Sequence, residues 1–326
     1  MTQIRQPDPD AGAKAPPSLD FAVDVPPRGY RWWYVDASSD DGAHHLVVIA
    51  FVGSVFSPFY KRAVARGDAD PMDYCAINVA LYSRPNPRWC MTELRQDEVQ
   101  RETHRLQLAG TELRWLDDRL VIEVADRSAP TRLPLQGRIE VTPAYVTGQD
   151  FALTAHARHH WWPISPSARV DVNFAKPAMQ WQGSGYVDTN GGSEPLHEGF
   201  DHWHWSRTHQ GDNTHLAYNA TERSGNVTNL GLMVDAAGTI REVPAYPEQR
   251  LPASTIWRAP RAANLPGNTS VARTLEDTPF YARSIITTDA APGQTTMHES
   301  LSLDRFRASW VTTLIPFRMR FPFGKR

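Results

Sequence analysis

Short segments of alternating apolar and polar residues follow one another along this chain, and no amphipathic helix of βαβ spacing recurs between them. A parallel doubly wound sheet needs such crossover helices, so the pattern points to antiparallel β-structure. Residues 44–53, 75–82, 137–145, 150–157, 169–174 and 179–188 read as strands. Residues 112–125 read as a hairpin, alternating on each side of the acidic turn Asp117-Asp118. Residues 92–108 have helix propensity, yet Val99, Leu106 and Leu108 also alternate, so helix and strand both stay open there. Further strands are expected over 200–206, 215–221, 226–234, 239–243, 254–258, 270–276, 281–287, 297–303 and 308–316. Gly238, after Asp235-Ala236-Ala237, marks a hairpin turn among them.

The 11 Trp, 10 Tyr, 12 Phe and 26 Pro support the same reading, because aromatic residues favour pleated surfaces and prolines interrupt elements. At 326 residues the chain can bury one large core or two modest ones. The expected fold class is all-β, as two antiparallel barrels or sandwiches. Order is predicted to begin near Phe21, after a flexible acidic and proline-containing leader over 1–20. Gly191-Gly192 and Pro195 mark the junction, which gives an N-terminal domain over 21–195 and a C-terminal domain over 196–326.

Several function classes lose ground on composition and motif. A net charge of −2 argues against a nucleic-acid footprint. Cys75 and Cys90 have no metal-binding spacing, make no disulfide framework and read as small buried apolar residues. Gly-x-Ser-x-Gly, the P-loop, Gly-x-Gly-x-x-Gly and His-Glu-x-x-His are all missing. No apolar run is long enough to cross a bilayer, and the N-terminus lacks the apolar stretch of a secretory signal. A cytoplasmic address is expected, with the apolar and basic tail over 314–326 able either to touch an anionic membrane or to form a last strand.

Two clusters carry the candidate chemistry: His159-His160-Trp161-Trp162, and Gly185-Tyr186-Val187-Asp188-Thr189-Asn190-Gly191-Gly192. Strand side chains repeat their facing every second residue, so His159 shares a face with Trp161, and Tyr186 with Asp188. If those faces meet inside a barrel, an aromatic-walled, poorly hydrated pocket favours the neutral form of Asp188, which suits a general acid. Trp161 offers a ring face to a cation, and His159 can orient an acid, hold water or act as a base. Asp188 reads equally as a turn cap, and the His159 cluster as an edge aromatic group beside Pro163. His202 and His204, in Asp201-His202-Trp203-His204-Trp205, share a strand face and stand as secondary pocket candidates. Metal binding by that pair is a weaker reading of the same spacing.

The chain also resembles a known family, the carotenoid 1,2-hydratases, also called hydroxyneurosporene synthases. The resemblance covers nearly everything after the leader. It is carried by residues 31–37 (Arg-Trp-Trp-Tyr-Val-Asp-Ala), 51–60 (Phe-Val-Gly-Ser-Val-Phe-Ser-Pro-Phe-Tyr), 75–82, 185–188 and 200–207. It implies two lipocalin-like β-barrel domains. The implied activity is cofactor-independent addition of water across the terminal C1–C2 double bond of acyclic carotenoids such as neurosporene and lycopene, in photosynthetic pigment pathways. The family's His-x-Trp and Tyr-x-Asp residues fall on His159, Trp161, Tyr186 and Asp188. The resemblance further implies a membrane-derived substrate, and therefore a protein peripheral to the inner or intracytoplasmic membrane. Two other readings stay open beside it: a lipocalin-like carrier of hydrophobic ligands, and a related barrel isomerase or cyclase acting on an isoprenoid or polyketide.

Overall fold

A computed structural model describes residues 20–67, 69–116 and 118–320. Most of the leader, Asp117 of the acidic turn and the last six residues of the tail lie outside the described residues. The chain divides into two compact units. The first runs to Phe151, resumes over Trp161–Ser193 and takes in residues from Phe317 onward; the second comprises Ala152–His160 and Glu194–Pro316.

The strands β1 (Tyr30–Ser39), β2 (His45–Val52), β3 (Cys75–Leu81), β4 (Arg88–Leu94), β5 (Val99–Glu102) and β6 (Arg105–Leu108) open a 12-stranded sheet. The same sheet continues with β7 (Thr111–Leu116), β8 (Arg119–Arg127), β9 (Pro134–Pro143), β10 (Phe151–Ala152), β11 (His159–Lys176) and β12 (Ala178–Gly192). Its spatial order is β4-β3-β2-β1-β12-β11-β9-β8-β7-β6-β5. The edge strands β4 and β5 lie only four residues apart in sequence, Arg95 to Glu98, so the sheet has to curl until its edges approach. The result is one nearly closed antiparallel barrel. Residues 92–108, open between helix and strand on propensity, form the end of β4, a single helical turn, β5 and β6. Pairing with neighbours overrides a weak local preference.

Alternate residues of these strands fill the barrel. Val35, Val48, Ile77, Cys90, Leu113, Ile122, Ile139, Val170, Val172 and Val187 belong to one apolar cluster. Phe21 is fully buried in it, edge-on to Trp33 with ring centroids 5.1 Å apart. Such an aromatic pair contributes roughly 0.5–1.5 kcal/mol beyond the area it buries. The opposite face divides in two. Over β6–β9 it is solvated and carries cross-strand ion pairs, Arg105–Glu112, Arg138–Glu123 and Arg119–Glu140. Over β1–β3 and the end of β12 it is buried as well, which is why β3 reads Cys-Ala-Ile-Asn-Val-Ala-Leu with scarcely a polar residue.

The second unit holds α2 (Leu196–Gly199), following α1 (Pro58–Arg66) of the first, and then a seven-stranded sheet. Its strands are β13 (Phe200–Gln210), β14 (Asn213–Glu222), β15 (Val227–Val234), β16 (Ile240–Val243), β19 (Thr269–Asp277), β20 (Tyr281–Thr288) and β21 (Thr296–Ser302), in the order β16-β15-β14-β13-β21-β20-β19. This sheet stays open, which corrects the expectation of two lipocalin-like barrels. A separate hairpin, β17 (Gln249–Leu251) with β18 (Arg261–Ala263), offers the reason. Its Leu251 and Ala263, with Leu265, pack on Ala217 and Ile286 and cover apolar surface that closure would otherwise bury. The expected strand over 308–316 is instead α4 (Ser309–Leu314) and a further turn, preceded by α3 (Leu303–Arg307). Among the described residues no helix is long and apolar enough to cross a membrane.

Candidate active site

Three of the four residues singled out first come together in the first unit. The Trp161 indole Nε1–H donates to Asp188 Oδ2 at 2.9 Å, and the Tyr186 hydroxyl donates to the same oxygen at 2.9 Å. Trp161 and Tyr186 are fully buried and Asp188 is 5% exposed. The long β11–β12 hairpin makes this possible: Tyr186 and Asp188 are neighbours on one face of β12, and Trp161 comes from β11. Gly185 is needed beside them, because a Cβ there would sit 2.3 Å from Val170 Cγ2.

The face they occupy was not legible in the sequence. Val187 belongs to the barrel core and Trp162 packs against it, so Tyr186, Asp188 and Trp161, which alternate with them, point away from that core. The acid therefore lies on the covered outer face of the sheet, not inside the barrel. Strand β1 supplies two further members of this face, which the sequence reading passed over. Tyr34 pairs with Asp188 and Asp36 with Tyr186 across the β1–β12 ladder. The Tyr34 and Tyr186 rings meet edge-on at 6.1 Å, and Asp36 is fully buried. Burial first, then the Asp188 carboxyl, hold the Tyr186 phenol well above its ordinary pKa. Tyr186 is therefore a hydrogen-bond donor at any physiological pH.

Chemically, two donors on one carboxyl oxygen do more for an anion than for a neutral acid, while burial acts the other way. An acid held in that balance can release a proton and have the resulting carboxylate stabilised where it forms.

His159 is grouped with the second unit, where it is fully buried with its Nε2 3.1 Å from Glu194 Oε1. Burial pushes its pKa down to about 4, and Glu194 opposes that shift without reversing it. A neutral imidazole facing a carboxylate carries its proton on Nε2, so Nδ1 is the acceptor nitrogen. Glu194 had no signal in the sequence as a site residue. Arg158 also binds it, at 2.7 Å.

His202 and His204 lie on one face of β13, with ring centroids 5.6 Å apart. His204 Nδ1 bonds Ser300 Oγ at 2.9 Å and its Nε2 is 3.9 Å from Glu248. Burial and the neighbouring histidines push the His204 pKa down to about 3. The donor atoms of His202, His204 and Glu248 lie within 4.8 Å of one another, close enough for the three side chains to hold a metal ion.

The class is that of a lipocalin-like β-protein with a buried carboxyl group that accepts hydrogen bonds from an indole and a phenol. Residues 48–324 match the family model described as carotenoid hydratase CrtC. The chain is 45% identical to the acyclic carotenoid 1,2-hydratase of Thiocapsa roseopersicina over 92% of its own length and 75% of that protein's. Its fold is similar to that of an AttH-like protein from Nitrosomonas europaea, with a TM-score of 0.58 at 16% identity over 90% of this chain and 98% of the other. Kievitone hydratase from Nectria haematococca is similar at a TM-score of 0.55 and 11% identity, over 91% of this chain and 96% of that one. The chain belongs to the carotenoid hydratase family. It is a hydratase acting on carotenoid double bonds.

Proposed function

We propose that the protein adds water across the C1–C2 double bond of an acyclic carotenoid, with Asp188 as the proton donor. The observation that carries this reading is the convergence of Trp161 Nε1 and the Tyr186 hydroxyl on Asp188 Oδ2. With Oδ2 receiving both donors, the transferable proton belongs on Oδ1. The proton passes to the CH carbon of the alkene, the π pair forms the new C–H bond, and positive charge develops on the dimethyl-bearing carbon. As Asp188 becomes an anion, both hydrogen bonds to Oδ2 strengthen, which lowers the barrier selectively in the transition state. Water attacks the tertiary cation and then loses a proton, which restores the acid and leaves a tertiary alcohol. His159 enters this reading through the family resemblance alone.

A carotenoid of this kind is a long hydrocarbon that dissolves in bilayers, so the protein is proposed to work at a membrane surface, on the cytoplasmic side. The test is Asp188→Asn in the full chain, with neurosporene supplied in detergent and the product identified by mass. Loss of at least roughly a thousandfold in formation of the water adduct, with native circular dichroism, is expected. Near-normal conversion would remove Asp188 from the role.

A further inference from the structure

Within the second unit, a turn between β17 and β18 holds large apolar residues out of the protein. Ile256 is 75% exposed and Trp257 36% exposed, and on α4 Trp310 is 47% and Leu314 38% exposed. The Trp257 and Trp310 rings stack at 6.2 Å, and Leu314 follows Trp310 by one helical turn. These residues form one apolar surface.

The turn is held in place by hydrogen bonds on two sides. The Asp277 carboxylate accepts the backbone N–H groups of Ile256 at 2.7 Å and Trp257 at 3.2 Å, and also the Ser254 hydroxyl at 2.6 Å. From the other side the Arg305 guanidinium donates to the carbonyls of Trp257 at 2.9 Å and Arg258 at 2.8 Å. Arg258 itself sits at φ 54°, a left-handed conformation that costs energy for a residue with a side chain. A backbone fixed this firmly displays Ile256 and Trp257 without burying them.

The rim is basic. Arg258 and Arg307 are exposed, and Arg305 is half-buried. The nearby carboxylate of Asp304 is engaged by Arg223 at 3.0 Å. Indoles with arginines around them match the headgroup layer of an anionic bilayer, where an amphipathic ring and a cation both gain.

We propose that Ile256, Trp257, Trp310 and Leu314, rimmed by Arg258 and Arg307, form the surface that docks on an anionic lipid bilayer. The inference rests on the reading above, that the substrate is drawn from a membrane. It deepens that reading by naming the surface.

The test is flotation of the full chain with vesicles of phosphatidylcholine alone and of phosphatidylcholine with phosphatidylglycerol, without substrate. Preferential binding to the anionic vesicles, weakened by salt, is expected. The Trp257→Ser/Trp310→Ser double variant should bind at least roughly tenfold less, and Ile256→Asp should do the same. Conversion of substrate in vesicles should fall with binding, whereas conversion in detergent micelles should stay at the wild-type level. Vesicle binding unchanged in these variants would overturn the assignment, as would a wild-type protein that ignores anionic vesicles. A variant that turns from dimer to monomer while still floating with vesicles would give the surface to a second copy of the chain, which also overturns it. Flotation needs no turnover, so failure of the hydration reading would show separately, as absence of the water adduct in micelles.

Discussion

Tyr186 hydrogen-bonds Asp188 from two positions back on the same strand, its hydroxyl 2.9 Å from Oδ2. The phenol therefore grips the very carboxyl that the reaction is proposed to ionise. Trp161 reaches the same oxygen from β11. Because both donors serve one atom, their contributions should be coupled. Tyr186→Phe and Trp161→Phe should each lower kcat by roughly ten- to a hundredfold with a smaller change in KM. The double variant should lose less than the product of the two, as a double-mutant cycle on product formation would show. Strict additivity would mean that the two donors act independently of one another.

His159 sets the sign of one pH effect. Its folded pKa of about 4 lies below its ordinary 6.5, so the unfolded chain binds the proton more readily. Its contribution to stability is full above about 6.5 and is lost as the pH falls from there towards about 4. The shift corresponds to about 3 kcal/mol at most. Urea melts of the wild type and of His159→Gln between those limits should show a shallower pH slope in the variant. His204, His209, His215 and His298 are depressed in the same direction and contribute to the remaining slope.

Gly199 closes α2 beside His159. A Cβ at this position would stand 2.3 Å from His159 Nε2 and 3.2 Å from Glu194 Oε1. Gly199→Ala should therefore displace the imidazole and break its bond to Glu194, at a cost of about 1–3 kcal/mol. Hydration should fall to about the level of His159→Gln, and combining the two changes should add little. A Gly199→Ala protein with normal turnover and melting would show that the His159–Glu194 geometry has slack.

Arg283 is a charged side chain buried in the second sheet. At 2% exposure it bonds Glu299 at 2.8 Å and Glu276 at 3.1 Å. Replacing it with Met leaves two carboxylates facing a low-dielectric interior, so Arg283→Met should destabilise that unit by about 3–5 kcal/mol. Chemical denaturation followed by tryptophan fluorescence would measure the loss. A much smaller value would mean that water reaches Glu276 and Glu299.

The sequence by itself determined the β-character of the chain and the pairing of Tyr186 with Asp188, because a period of two is a local property of backbone geometry. The cluster at His159 and Trp161 was legible for the same reason, and the motif resemblance pointed to the family to which the chain belongs. Tertiary structure decided the rest. Alternation separates two faces of a strand without saying which one meets the core, so the placement of Asp188 outside the barrel needed the curled sheet. Tyr34 and Asp36 reach the site across a ladder joining strands about 150 residues apart, a contact with no local signature. Glu194 meets His159 by a similar long-range route. Closure of one sheet and not the other turned on where the edge strands lay and what covered the open face, and both are settled by packing between segments distant in the chain.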